Sequence, residues 1–263
     1  MPPESPRLPP VELAPRVRLL KLPLRCEAVD RLRRRLTGAK SASGSLALAH
    51  ALGDVRFAPA FAPAQRGSEA VERWHGALAA FGLVEGPAPA LIAYTVRPLA
   101  ELAAVPLPVG WPDDPIAWEA SEEVALLPRL ERRAGTAVPF ATEVWPKVRV
   151  VDPAKAPVGN RRVPRTREMD AARQEQLSRL ELSRAEAYGL WLQRQLPAAE
   201  IDPTTIRIMG ETTAPAGDGR SFAVLGLRLN GMLRFTDPTA VALALLRGVG
   251  RRRAYGLGLL VVA

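Results

Sequence analysis

Cysteine and histidine are nearly absent from this chain of 263 residues. Cys26 is the only cysteine, and His50 and His75 are the only histidines, so the sequence has neither a disulfide framework nor a thiolate zinc site. The His-Glu-x-x-His and Gly-x-Ser-x-Gly motifs are also missing, which excludes the hydrolases that those motifs build. We therefore expect no metal and no cofactor, and a reducing cytoplasm suits such a chain.

Long apolar runs are missing as well. No run approaches the ~20 residues that span a bilayer, and the proline-rich N-terminus lacks the apolar core of a signal peptide. The sequence therefore predicts a protein that is not exported and has no contact with a membrane. Residues 1–15 are predicted to form a disordered tail, because they are rich in proline.

Lysine is scarce too, and arginine supplies nearly all of the positive charge. The chain has 36 basic against 27 acidic residues, a formal net charge of +9 and a pI of about 10.6. Such a charge favours contact with phosphate and makes that contact dependent on salt. Since guanidinium groups bind phosphate in a bidentate way and stack on bases, the arginine excess favours structured nucleic acid as a partner.

The C-terminal residues contain the most specific pattern in the chain. Two Gly-x-Gly pairs, at 248–250 and 256–258, bracket three arginines and an aromatic residue. Glycine allows the backbone to approach a ligand closely, and the arginines favour a polyanion. The pattern predicts a helix before the loop and a strand after it, which is the reverse of the order in dinucleotide and P-loop motifs. We therefore interpret the loop as a cradle for a ribose-phosphate strand.

This arrangement resembles the glycine-rich C-terminal loop of the RAMP proteins of CRISPR systems, which runs from Gly-x-Gly through a basic stretch, an aromatic and a second Gly-x-Gly into the final strand. Within that superfamily the chain is most similar to a CRISPR RNA-processing endoribonuclease, and its basic helical insertion suggests the type IV version. The motif covers about the last tenth of the chain. The alternative interpretation is a glycine-rich turn with solvated arginines.

The resemblance implies an α+β fold of two ferredoxin-like (RAMP/RRM-like) halves with a basic α-helical insertion. We place the N-terminal half at 16–152, a basic helical finger at 153–197 and the C-terminal half with the glycine loop at 198–263. The dipeptide Asn230-Gly231 predicts a turn within the strand-rich stretch 222–235.

Hydrophobic periodicity places further elements along the chain. Strands are predicted at 17–24, 91–96, 142–151, 204–211 and 257–262, and helices at 28–36, 46–52, from Ser68 to Phe81, at 168–196 and at 237–248. The long helix at 168–196 has Gly189 as its expected point of interruption. The acidic segment 101–131 is expected to face a partner or solvent, because it repels RNA.

Two basic regions outside the glycine loop are candidate RNA contacts. One is the helix 28–36 with the residues that follow it, and the other is the root of the predicted finger. Both have an alternative interpretation as solvated faces with intrahelical ion pairs. The predicted RNA-binding residues are Arg31, Arg34, Lys40, Arg161, Arg162, Arg165, Arg167, Arg173, Gly248, Gly250, Arg251, Arg252, Tyr255, Gly256 and Gly258.

The resemblance also implies the chemistry. Enzymes of the family cleave repeat RNA without metal, with the ribose 2′-hydroxyl as nucleophile, which needs a proton shuttle and cations for the phosphorane charge. Family members often place a histidine on the helix after the first strand, and His50 is the nearest match, whereas His75 is interpreted as structural. If His50 is only packed, catalysis rests on arginine. The candidate catalytic residues are Arg25, Arg35, His50 and Arg253.

The expected function is therefore that of a metal-independent endoribonuclease acting on CRISPR pre-crRNA. It would bind the repeat stem-loop, leave a 2′,3′-cyclic phosphate and stay on the mature crRNA with other CRISPR effector subunits. One alternative is a non-catalytic RAMP subunit that caps the crRNA. Another is a basic RNA-binding accessory protein without an active site.

Overall fold

The computed structural model describes residues 10–37, 45–57, 78–144, 183–216, 222–250 and 256–263. Within these ranges the chain forms two antiparallel β-sheets with helices packed on them. The predicted α+β class with two ferredoxin-like halves is confirmed. No helix in the described ranges combines the length and the hydropathy needed to cross a membrane.

The first sheet has the strand order of a ferredoxin-like unit. Its strands are β1 (Arg18–Pro23), β2 (Ala80–Val84), β3 (Ala90–Thr95) and β4 (Glu122–Ala125). They lie in the order β2-β3-β1-β4, and every neighbouring pair is antiparallel. The helices of this part of the chain are α1 (Pro10–Leu13), α2 (Cys26–Thr37), α3 (Ser45–His50) and α4 (Leu99–Ala103). Helices after the first and third strands complete a β-α-β-β-α-β unit.

One face of this sheet forms a core with α2 and α3. Leu20 and Leu22 alternate along β1 and are fully buried, as the period of two in a strand requires. Leu32 of α2 and Leu48 of α3 pack in the same cluster. A π-helical turn, Ala51–Val55, extends α3. The strand and the two helices predicted between residues 17 and 52 are therefore confirmed.

The second sheet repeats the same order. Its strands are β5 (Ala137–Val144), β6 (Glu200–Ile201), β7 (Arg207–Ala216), β8 (Phe222–Arg234) and β9 (Leu260–Val262). β5 pairs with β9 on one side and β8 on the other, and β8 pairs in turn with β6 and β7. Its helices are α5 (Leu126–Glu131), α6 (Arg184–Gln195) and α7 (Pro238–Arg247). With β6 and β7 sharing one position, this is again a ferredoxin-like order.

The boundary between the two halves lies earlier than the sequence predicts. β5 was expected in the N-terminal half at 16–152, but it is a central strand of the second sheet. Helix α6 was expected in the finger at 153–197, but Trp191, Leu192 and Leu196 are buried in the second core. The boundary at 152 is therefore wrong, and it lies between the end of β4 and the start of β5. Strand patterning alone does not say which sheet a strand joins.

The N-terminal segment also differs from the prediction. Residues 10–16 form α1 and a 3-10 turn, Ala14–Arg16, and Leu13 and Ala14 are buried in the core with α7. The predicted disordered tail of 1–15 is therefore wrong for residues 10–15, because Pro10 at the start of a helix costs no hydrogen bond. Residues 1–9 lie outside the described residues.

Helix α6 begins abruptly. The Ser183 side chain accepts from the backbone N–H of Glu186, and the Glu186 carboxylate accepts from that of Ser183, which is a capping box. The helix predicted over 168–196 therefore does not run through residue 183, and residues 168–182 lie outside the described residues. Gly189 does not interrupt the helix. A Cβ there would lie 2.9 Å from Ile206 Cγ1, so this glycine provides close packing.

Two further predictions are wrong for packing reasons. Asn230 and Gly231 form no turn, since both pair with β5 within the continuous strand β8. A Cβ on Gly231 would lie 2.8 Å from Ile206 Cδ1, so this glycine makes room for a neighbouring side chain. Phe81 belongs to β2 and not to a helix. Residues 68–77 of that predicted helix lie outside the described residues.

The two halves share one core. Tyr94 of β3 is fully buried, and its hydroxyl donates to the backbone oxygen of Leu260 in β9 across a distance of 3.0 Å. Burial raises the pKa of Tyr94 above its usual value. Ala80 and Val17 pack in the same cluster as the helices and strands of the second half. The relative position of the two sheets is therefore fixed by buried contacts.

The variant Tyr94→Phe should lower the free energy of unfolding by about 1 kcal/mol, because a buried hydrogen bond is lost while the ring volume is kept. Urea denaturation measures this change. Tyr188→Phe is the matched control, since its hydroxyl is part-exposed and 3.4 Å from Arg184 Nε. An equal loss in both variants would contradict the role of Tyr94 in joining the halves.

Candidate nucleic-acid interface

The glycine loop requires glycine at four positions. Its glycines Gly248, Gly250, Gly256 and Gly258 have φ angles of +68°, +74°, +78° and +93°. Other residues rarely adopt this region, since a Cβ clashes with the backbone there. Gly248 also ends α7, where its N–H donates to the carbonyls of Ala244 and Leu245. Both Gly-x-Gly pairs are thus dictated by backbone geometry.

The two ends of the loop are tied together at the edge of the second sheet. The Val249 N–H donates to Gly258 O over 2.8 Å, and the Gly258 N–H donates to Glu143 O over 2.6 Å. Val249 and Leu257 are both 1% exposed, so apolar packing also holds these two ends together. We call the paired ends, Val249 with Leu257 and Gly258, the neck of the loop. The described part of the loop ends at Gly250 and resumes at Gly256. Arg251, Arg252, Arg253 and Tyr255 lie outside the described residues.

The returning end of the loop is seated on the N-terminal half. A Cβ built on Gly256 would lie 2.7 Å from Ala49 Cβ in α3, and one built on Gly82 of β2 would lie 3.5 Å from Gly256 O. Gly256 therefore contacts α3 directly beside His50, which is half-buried. β7 also contacts α3. The fold thus brings the glycine loop to the helix of the predicted catalytic histidine.

The predicted arginines of α2 have a different environment. Arg25 Nη2 lies 2.9 Å from Glu119 Oε2, and Arg31 Nε lies 2.7 Å from Asp113 Oδ2. A Cβ on Gly110 would lie 2.6 Å from Arg35 Nη2, so that guanidinium packs on the backbone of the same segment. Arg34 is exposed.

The acidic segment 101–131 was expected to face a partner or solvent. The side chains of Asp113, Glu119 and Glu122 are 47%, 66% and 60% exposed, so the segment does face solvent. It also forms ion pairs within the molecule that the sequence did not predict, because the fold lays β4 beside β1 and brings carboxylates about ninety residues distant in sequence against the basic side chains. The segment therefore pairs with Arg31 of α2 and with Arg25, which precedes the helix.

Several predicted contacts cannot be placed. Lys40 and the candidates of the finger root, Arg161, Arg162, Arg165, Arg167 and Arg173, lie outside the described residues. Sequence reasoning missed Ala49 and Glu143, which hold the two ends of the loop. No pattern marks either residue, since one acts through its small size and the other through its backbone carbonyl. Within the described ranges, no three His, Cys, Asp or Glu side chains are grouped so as to hold a metal ion.

Comparison with known families gives one match. The family described as "CRISPR associated protein" matches residues 103–263. The matched region covers β4, the whole second sheet and the glycine loop. Comparison with the curated proteins finds no match.

Comparison with solved structures gives the same fold. Thermus thermophilus Cse3, bound to an RNA representing a pre-cleavage complex, is similar with a TM-score of 0.52 and 20% identity, over 94% of this chain and 98% of that chain. A CRISPR endoribonuclease Cse3 bound to a 19-nucleotide RNA has a TM-score of 0.51 and 21% identity over the same shares. A CRISPR RNA-guided surveillance complex, pre-nicking, has a TM-score of 0.50 and 19% identity, over 93% of this chain and 99% of that chain.

The seat of the loop can be tested with two alanine variants. Gly256 and Gly135 have φ angles of +78° and +77°, so both variants carry the same backbone strain. Around Gly135 there is no atom within 4 Å of an added Cβ, whereas Gly256 faces Ala49. Gly256→Ala should therefore destabilise the protein by about 1–3 kcal/mol more than Gly135→Ala, measured by urea unfolding. Equal losses would show that the loop does not rest on α3.

Proposed function

Because the chain belongs to the CRISPR associated protein family, we propose that it is a CRISPR RNA-processing endoribonuclease. It binds the stem-loop of the repeat and cleaves pre-crRNA beside it. The observation that supports this function best is the contact of the glycine loop with α3 next to His50. Metal-independent cleavage, the type IV class and a cytoplasmic location belong to the same proposal.

The proposed site lies where the loop meets α3. The neck holds the ends of the loop in place, and the three arginines between them supply the positive charge that a ribose-phosphate strand needs. Since Gly256 touches Ala49, a phosphate held by the loop lies near the end of α3. His50 is the titratable side chain at that end, and imidazole is suited to proton transfer near neutral pH.

The proposed reaction is an in-line attack of the ribose 2′-oxygen on the neighbouring phosphorus. His50 moves the proton, which leaves the 2′-hydroxyl and ends on the 5′-oxygen of the departing strand. The bond from the 2′-oxygen to phosphorus forms while the bond to the 5′-oxygen breaks. Arg253 binds the extra negative charge of the pentavalent intermediate. The products are a 2′,3′-cyclic phosphate and a 5′-hydroxyl end.

The similar structures support an RNA ligand by analogy. Both Cse3 structures are described as bound to RNA, and the surveillance complex is described as RNA-guided. We propose that this chain likewise stays on its product and joins other CRISPR effector subunits. Lys40, Arg34 and the arginines at 161–173 are proposed to contact the same RNA, and Tyr255 is proposed to meet it within the loop.

The environment of α2 and of the residue before it changes the assignment of three arginines. Arg25 and Arg31 are held by Glu119 and Asp113, so we assign them to a neutralised surface and not to the reaction. Arg35 packs on the same acidic segment, against Gly110. We therefore propose His50 and Arg253 as the catalytic residues.

The central test is cleavage of the repeat hairpin in EDTA. We expect one defined cut with a 2′,3′-cyclic phosphate, and we expect His50→Ala to slow single-turnover cleavage at least about 100-fold, the usual contribution of a general acid or base. Its affinity for the hairpin should be unchanged. His75→Ala is the matched control and should cleave normally. Intact RNA with the wild-type protein would instead support the non-catalytic subunit.

The glycine loop can be tested through salt dependence. Replacing Arg251, Arg252 and Arg253 together by Gln should reduce the slope of log affinity against log salt by about 2–3, since each phosphate contact contributes ~0.7–0.9. Arg132, Arg133 and Arg234 form the charge-matched control. They lie near the start of β5, about 20 Å along the strand from the neck. The same change in both triple variants would contradict a specific role of the loop.

A further inference from the structure

The acidic belt is defined as Asp113, Asp114, Glu119, Glu122 and Glu123. Four of its carboxylates pair with basic side chains of β1, of α2 and of the short link between them. The pairs are Asp113 with Arg31, Glu119 with Arg25, Glu122 with Lys21 and Glu123 with Arg18. The arginine side chains at positions 25 and 31 keep 50% and 42% exposure, so a nucleic acid can reach them. A phosphate must first displace a carboxylate.

The belt is fixed to β1 by its backbone and not only by ion pairs. The Arg25 N–H donates to Pro115 O over 2.9 Å, and the Ala117 N–H donates to Pro23 O over 2.8 Å. Leu24 and Ile116 form an antiparallel bridge between these bonds. The carboxylates on either side are therefore held near the arginines even when an ion pair opens.

The Asp114 side chain connects the belt to the buried residues beneath it through two hydrogen bonds. Its Oδ2 accepts from Arg56 Nη2 over 3.2 Å and from Trp118 Nε1 over 2.8 Å. Arg56 is 1% exposed, and the Trp118 ring packs edge-on against Phe57. Trp118 begins the 3-10 turn that carries Glu119. A buried arginine thus supports the turn that presents a carboxylate to Arg25.

One carboxylate of the belt is further stabilised in its charged form. Hydrogen bonds from its own backbone N–H and from Arg25 lower the pKa of Glu119 below the usual value. Exposed ion pairs contribute little to stability, because solvent screens them. Their larger effect is on charged ligands, since a fixed carboxylate cancels the attraction of its arginine for phosphate.

We propose that the acidic belt is a specificity device that keeps unstructured RNA off the basic side chains that it pairs with, which are Arg18, Lys21, Arg25 and Arg31. With Arg25 and Arg31 paired to carboxylates, this surface attracts phosphate less than its basic residues alone would. RNA without the cognate hairpin then gains little from the high net charge of the chain. The inference rests on the proposed function, because it concerns which RNA that site receives.

The test compares Asp113→Asn/Glu119→Gln with the charge-matched control Glu131→Gln/Glu200→Gln. Affinity for unstructured oligouridylate and for the repeat hairpin is measured for both at several salt concentrations. We expect the belt variant to bind oligouridylate about fourfold more tightly than the control, roughly twofold for each of the two arginines released, with a steeper salt dependence. Affinity for the hairpin should rise by less than twofold, so discrimination falls.

A second set of variants keeps the test decisive. Adding Arg25→Gln and Arg31→Gln to the belt variant should abolish the gain, because the gain depends on those two arginines. In the wild-type background the same two arginine changes should alter oligouridylate binding by less than twofold. If the belt variant does not fold, the Arg25→Gln/Arg31→Gln variant tests the proposal by itself. A large loss of oligouridylate affinity in that variant would overturn the proposal.

The outcomes separate this inference from the proposed function. Equal oligouridylate affinity in the belt variant and its control, with normal hairpin cleavage by the wild-type protein, overturns the specificity device alone. Failure of the wild-type protein to cleave the hairpin overturns the proposed function, whatever the belt variants show.

Discussion

The contact between Gly256 and Ala49 is the constraint on which the proposed site depends. It joins the C-terminal end of the glycine loop to a helix some two hundred residues earlier, and Gly256 does not tolerate a larger side chain without movement. The buried Tyr94–Leu260 hydrogen bond fixes the two sheets behind it. Gly256 of the glycine loop and the helix that ends at His50 are therefore in contact, although they belong to different halves of the fold.

Positive charge is abundant in the sequence but unevenly available in the fold. The arginines at 25 and 31 stand opposite fixed carboxylates, whereas those of the glycine loop follow a neck held by backbone hydrogen bonds. Net charge alone predicts a binder of any polyanion. The carboxylates paired with Arg25 and Arg31 reduce the attraction of that part of the surface for phosphate, although the chain as a whole has a pI of about 10.6.

Sequence patterns predicted the helices and strands whose formation depends on residues near each other in the chain. The alternation of Leu20 and Leu22 indicates β1, and the spacing of Val29 and Leu32 indicates α2. The glycine pairs were recognisable because only glycine adopts their φ angles. Long-range pairing was not predictable in this way. The pattern of β5 fits a strand of either sheet. Gly231 looks like a turn residue in the sequence, and only the fold shows that Ile206 packs against it. The ion pairs of the belt join residues about ninety positions apart.

Photocrosslinking from the nucleotide next to the cleaved phosphate tests the central claim most directly. A repeat hairpin with a photoreactive base at that position is irradiated on the full-length protein, and the crosslinked peptides are sequenced. The account predicts crosslinks to the peptide that contains α3 and to the peptide that contains the glycine loop. Crosslinks confined to α2 and the acidic belt would contradict it.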